Sequence, residues 1–226
     1  MEAISIYSSA GLILTTLLTI WFFYKASNHK KALYGIIIWM IVVGILGIMG
    51  FYQVTDAVPP RIVFLLMPGV ILVLALFLSK KAKAWMDTLS LKWLTLLHIV
   101  RVPVEIILFR IYLAGSIPVL MTFEGYNYDI LSGITAPIIY YFVFVRKKLG
   151  RKSLLVWNLV CLGLLLNILT IAVLSAQTPF QKLAFDQPNV GVTQFPFVWL
   201  PAIIVPLVLF SHLASIRQLV VAARQR

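Results

Sequence analysis

Apolar runs recur along the chain, interrupted by short clusters of Lys and Arg or by loops holding Pro, Gly and aromatics. Several runs approach the ~20 residues that a helix needs to cross a bilayer. Read in order, the pattern predicts seven membrane-spanning helices over residues 3–24, 32–52, 62–79, 91–113, 130–145, 154–176 and 197–221. They form one all-α transmembrane domain over residues 1–226. Gly44, Gly47 and Gly50 in the second helix would permit close approach to a neighbour, and the small residues would also suit a homo-oligomer. Ser8, Thr15 and Thr19 predict an inward polar stripe on the first helix. Pro68-Gly69 predicts a kink in the third.

Composition agrees with a polytopic membrane protein: 62% of residues are hydrophobic and 12% charged, with mean hydropathy +1.00. The formal net charge of +12 does not point to nucleic acid, because the cations occur in clusters between apolar runs and form no continuous basic face. Fifteen of the 19 Lys and Arg lie in the three odd-numbered connections and the C-terminal end. Arg61 and Lys182 are on the other side, and five of the seven acids (Glu2, Asp56, Glu124, Asp129 and Asp186) share it. Since Lys and Arg collect in cytoplasmic loops, this asymmetry predicts an outside N-terminus and a cytoplasmic C-terminus in a bacterial inner membrane. The opening residues lack the basic n-region of a cleavable signal, so the first run is expected to stay as an anchor. Cys161 is the one cysteine, which rules out an intrachain disulfide and points to a buried apolar role.

One predicted span breaks the apolar rule. Residues 91–113 contain His98, Arg101, Glu105 and Arg110. At about 100° per residue, Arg101 lies about 60° and Glu105 about 20° from His98, and Tyr112 continues that stripe. A charge at mid-bilayer costs roughly 3 kcal/mol, so such side chains face a bundle interior and find partners there. Arg101 and Glu105, at i and i+4, are expected to form an internal ion pair. This would either neutralise the helix for insertion or serve a proton or anion path. Pro103, between them, should free a backbone carbonyl on the polar face. Arg110 faces away and should snorkel outward or pair with Glu124 or Asp129.

His212 in the seventh helix lies at a depth similar to that of His98, ~10–14 Å from the cytoplasmic boundary at 1.5 Å per residue. If the two helices share a cavity, the imidazoles could meet and hold a metal or a haem, although the sequence requires no cofactor. Otherwise each histidine simply hydrogen-bonds within the core. Gly163, Asn167 and Thr170 share a face of the sixth helix, making Asn167 a candidate cavity liner. Glu124, Asp129 and Asp186, with their aromatic and amide neighbours, form a candidate outer rim: a ligand mouth, or an interfacial aromatic belt. Residues 177–196 form the longest loop and could cap the bundle.

Absent motifs narrow the classes. The last helix has no lysine for a retinal Schiff base, and no paired-His helix, Gly-x-Ser-Gly, paired-Glu motif or phosphate-cradling glycine loop is found. No catalytic residue is therefore assigned. MTFEGYNYD (121–129), FDQPN (185–189) and VPLVLFSHLASIRQL (205–219) resemble uncharacterised bacterial inner-membrane proteins of seven helices. The resemblance spans most of the chain and implies no activity. The expectation is a membrane protein binding or translocating a small ligand or ion at Arg101, Glu105, His98, Asn167, His212 and Tyr112. The rival readings are a metal or haem protein or enzyme, and a structural or sensory subunit.

Overall fold

The computed structural model describes residues 5–55 and 57–224. Glu2, Asp56, Arg226 and the expected start of the first helix at Ala3 lie outside them, as does the side chain of Arg224. The described chain is all-helical: α1 (Ile6–Ser27), α2 (Lys30–Ile48), α3 (Val63–Leu76), α4 (Lys80–Asp87), α5 (Leu91–Leu97), α6 (Arg101–Leu113), α7 (Ile130–Tyr140), α8 (Arg151–Leu174) and α9 (Val205–Arg224). Four helices are long and apolar enough to cross a membrane: Ile6–Ser27, Lys30–Ile48, Arg151–Leu174 and Leu200–Ala223.

Local sequence explains the boundaries. The chain leaves α1 through Asn28 in the left-handed region (φ 47°), with its N–H donating to Tyr24 O. His29 Nδ1 then accepts from Ala32 N and caps α2. Ser79 Oγ caps α4 by accepting from Ala82 N. That helix turns 89° from α3. The basic stretch after α3 is thus an amphipathic helix and not a plain connection: Met86 is buried and Trp85 stacks on Phe210 at 5.7 Å. Arg217 Nη2 donates to Asp87 Oδ2 at 2.7 Å, tying α4 to α9.

The charged segment is not one straight helix. A 3-10 turn at His98–Val100 separates α5 from α6. Pro103 explains the break, because it has no N–H for the Ile99 carbonyl four residues back, and its ring crowds that carbonyl. Widened π turns follow Pro137, at Tyr141–Val145, and contain Pro201, at Leu200–Ile204.

The Leu200–Ala223 span is the centre of the bundle, with 67% of its most apolar window buried against 17% for α2. It packs on α3, α4, α5 and α8, and α1 packs on α5 and α6. Ser8, Thr15 and Thr19 are buried on α1. Two glycines of α2 pack within the chain: a Cβ at Gly44 would lie 3.3 Å from Trp199, and one at Gly47 would lie 2.9 Å from Val198. The outward face of α2 carries Tyr34, Ile38, Ile41, Ile45 and Ile48 exposed, a surface suited to hydrocarbon.

The long 177–196 segment folds back over the bundle end. Asn189 Nδ2 donates to Ala172 O (3.1 Å), Gln187 Nε2 donates to Tyr112 O (3.0 Å), and Ser116 O accepts from Gly191 N (2.7 Å).

Candidate functional site

Four parts of the chain deliver polar groups to one buried cluster. The 3-10 turn and α6 supply His98, Arg101 and Glu105, all at most 2% exposed. The loop before α7 re-enters the bundle and buries Asn127 and Asp129. Asn158 comes from α8 and His212 from α9, both at most 1% exposed.

Arg101 is the hub. Its Nη1 donates to Asp129 Oδ1 at 2.7 Å and to Cys161 O at 3.4 Å, while Nη2 meets His212 Nε2 at 3.2 Å. Its Nε has no partner. Asp129 sits at the N-terminus of α7, where the helix dipole also favours a carboxylate. Close packing brings it there. A Cβ at Gly133 would lie 2.7 Å from Val102 Cγ2 and 2.9 Å from Val102 N, so α7 lies directly against the α6 backbone.

The expected Arg101–Glu105 ion pair is not formed. Arg101 has turned to Asp129, and the Glu105 carboxylate is held by Asn127 Nδ2 at 2.7 Å from both oxygens. The same amide donates to Met121 O at 3.0 Å, and Asn127 Oδ1 accepts from Asp129 N at 3.1 Å. Asn127 thus links the two carboxylates. The loop that places it closes tightly: a Cβ at Gly125 would lie 2.3 Å from Val119 O.

The two histidines do meet. Their ring centroids are 3.9 Å apart and the planes only 18° from parallel. This is a face-to-face stack, with Trp157 edge-on to His98 at 5.5 Å. It does not support the metal or haem expectation, because imidazole lone pairs lie in the ring plane and stacked rings do not aim them at a common ion. His212 is also fully engaged. Arginine only donates, so Nε2 of His212 accepts from it. Asn158 Nδ2 donates to Leu154 O at 2.9 Å, which leaves Oδ1, 2.9 Å from His212 Nδ1, as an acceptor. These partners assign His212 as the neutral tautomer with its proton on Nδ1. Among the described residues no group of three or more His, Cys, Asp or Glu is arranged to hold a metal ion. A test follows: Asn158→Leu should strand the Nδ1 proton and cost about 1–3 kcal/mol of stability. In 15N-histidine NMR spectra the single His212 tautomer should become a mixture.

Several expected liners lie elsewhere. Asn167 is exposed on α8, where its Nδ2 donates to Tyr126 O at 2.7 Å and braces the loop. Tyr112 is half-buried near the C-terminal end of α6, packed by Phe109. Glu124 and Asp186 are exposed, as is Arg110. Asp129, expected at the rim, is inside the cluster. Asn127 and Asn158 were not anticipated. Asn158 is marked only as an uncharged amide within an apolar run, as Asn167 is, and Asn127 only as an amide in the loop between two predicted spans.

Beside the cluster lies a cavity of about 300 Å³, walled by α3, α8 and the Leu200–Val208 stretch, with Arg101, Glu105 and Asp129 on its lining. The rest is almost wholly aliphatic, with Leu66, Leu108, Leu165, Ile168, Ile204 and Val208 prominent.

The family model for a domain of unknown function, DUF8737, matches residues 58–220, well over half of the chain. The chain belongs to that family. The DUF8737 region runs from before α3 to near the end of α9 and includes every member of the polar cluster, with α1 and α2 ahead of it. No curated protein and no solved structure matches the chain.

Proposed function

We propose that this DUF8737 protein is a multi-pass protein of a bacterial cytoplasmic membrane that binds a small ligand at the Arg101–Asp129–Glu105 cluster. In this reading the chain crosses seven times, with α5 and α6 as one broken crossing. Its N-terminus is outside, and α4 lies on the cytoplasmic surface. The distribution of Lys and Arg supports the orientation.

The binding reading rests on one observation: three ionisable side chains, each at most 5% exposed, lie on the lining of a cavity of about 300 Å³. A purely structural ion pair needs no space beside it, and tight packing would favour it. Pockets that are mostly apolar with a few convergent polar groups are the usual form of small-molecule sites. The favoured role is binding over conduction, because the side toward α5 is filled by Leu94, Leu97, His98 and Val100, all 0% exposed.

Native mass spectrometry of the full chain, isolated in nanodiscs from a bacterial membrane, tests this. The wild type is expected to carry a bound non-protein mass that Glu105→Gln and Arg101→Lys reduce at unchanged fold. A wild type that flies only as the bare chain, or variants with undiminished occupancy, would overturn it.

A further inference from the structure

The shape and lining of the cavity restrict what can occupy it. Its walls are mostly aliphatic, with Arg101, Glu105 and Asp129 converging on one side and Thr178, Phe180 and Asn189, whose Oδ1 is buried without a donor, also on the lining. The exposed residues on its lining are Val63 and Met67 on α3, Val173 on α8 and Phe180 in the segment over the bundle end. In a membrane these apolar groups meet lipid tails and the interface, so a hydrocarbon chain enters between α3 and α8 from the bilayer. At ~30 Å³ per water-sized group, the cavity accepts about ten heavy atoms. A longer chain would trail out between α3 and α8.

The polar end specifies the head. Both Nη atoms of Arg101 are engaged, and its Nε–H is buried without an acceptor. A buried donor left unpaired is unfavourable, so an occupant with an acceptor oxygen gains there. Charge decides the rest. Asp129 already neutralises Arg101, and Glu105 has no cation in ion-pair range among the described residues. An anionic head would add negative charge to a site with none to spare. An ammonium head would meet Glu105, but it would also stand beside the guanidinium and offer the Arg101 Nε–H no acceptor.

We infer that the ligand is an uncharged single-chain amphiphile, with a hydroxyl or carbonyl oxygen of its head at Arg101 and its hydrocarbon chain between α3 and α8. This rests on the binding reading above and narrows it to a chemical class.

The test uses the full chain in nanodiscs and monooleoylglycerol carrying a diazirine in its acyl chain. Photolabelling is expected to concentrate on peptides of α3 and α8. Unlabelled monooleoylglycerol should compete at least about tenfold better than oleate or oleylamine, a difference of one charge placed in low dielectric. Ile168→Trp and, from the opposite wall, Leu66→Phe should each fill the cavity and reduce labelling by about tenfold or more, with unfolding temperature checked in parallel. Label spread evenly over the lipid-facing helices and indifferent to both substitutions would overturn the inference, as would equal competition by oleate or oleylamine. A bound mass that proves water-soluble and chainless would also overturn it, yet would leave the binding reading standing.

Discussion

Asp129→Ala is expected to be the most damaging single substitution in the cluster, lowering stability by about 3–5 kcal/mol, the range for breaking a buried ion pair from one side. The cost comes from what remains. Arg101 is 2% exposed, and its strongest contact is the 2.7 Å bond to Asp129 Oδ1. Without the carboxylate, the guanidinium keeps its charge and is left with a carbonyl at 3.4 Å and the neutral His212. Asp129→Asn should lose less, since an amide oxygen can still accept. Removing both charges with Arg101→Met and Asp129→Leu should restore most of the loss, because an apolar pair of similar volume avoids the desolvation penalty. Thermal unfolding in nanodiscs, followed by tryptophan fluorescence, reads all four proteins. If Asp129→Ala unfolds with the wild type, the pair is not buried as described.

This pairing was only half legible in the sequence. Helical spacing places His98, Arg101 and Glu105 on one stripe, and all three are buried. Spacing also brings Arg101 and Glu105 within reach of each other, but it is blind to a loop that folds inward. Asp129 and Asn127 arrive by such a loop, from 28 and 22 residues downstream of their partners, and displace the local pair.

The facing of α8 was hidden for a different reason. Asn158 and Asn167 are nine residues apart, about 180° around a helix at 100° per residue, so choosing one means choosing the wrong face for the other. In a soluble protein the apolar stripe would decide which face is inward. Here Val156, Leu159, Val160 and Leu166 are exposed while Leu165 and Ile168 are buried. Lipid and core are equally apolar, so hydrophobicity no longer tells the two sides apart. Helix positions depend less on facing, because the length of apolar runs and the charged clusters between them mark them. Even so, the basic stretch at 80–87 is itself helical and 91–113 is broken. Facing has no such mark, except where a charge forces one side inward. The same reasoning covers the α2 glycines, whose spacing marks close packing without saying whether the neighbour is Trp199 and Val198 of the same chain or a second copy.

Gly133 and Gly163 turn that distinction into an expected result. Both are helical glycines, and on propensity alone replacing either with alanine should stabilise its helix by up to about 1 kcal/mol. At Gly163 nothing lies within 4 Å of an added Cβ, so Gly163→Ala should be neutral or follow that trend. At Gly133 the Cβ would meet Val102 Cγ2 at 2.7 Å, Val102 N at 2.9 Å and Arg101 Cβ at 3.3 Å. The valine methyl group can rotate, but the backbone nitrogen cannot yield without moving α6. The two helices must therefore separate by several tenths of an ångström. Asp129 lies one turn before Gly133 on the same side of α7, so the separation acts on the 2.7 Å contact that neutralises Arg101. Gly133→Ala should thus destabilise by about 1–3 kcal/mol, the usual cost of overpacking. It should also weaken the effect of a later Asp129→Ala, because the pair is already loosened, and a double-mutant cycle by thermal unfolding measures that coupling. If Gly133→Ala and Gly163→Ala shift the unfolding temperature in the same direction, the close approach of α7 to Arg101 is not what holds the ion pair together.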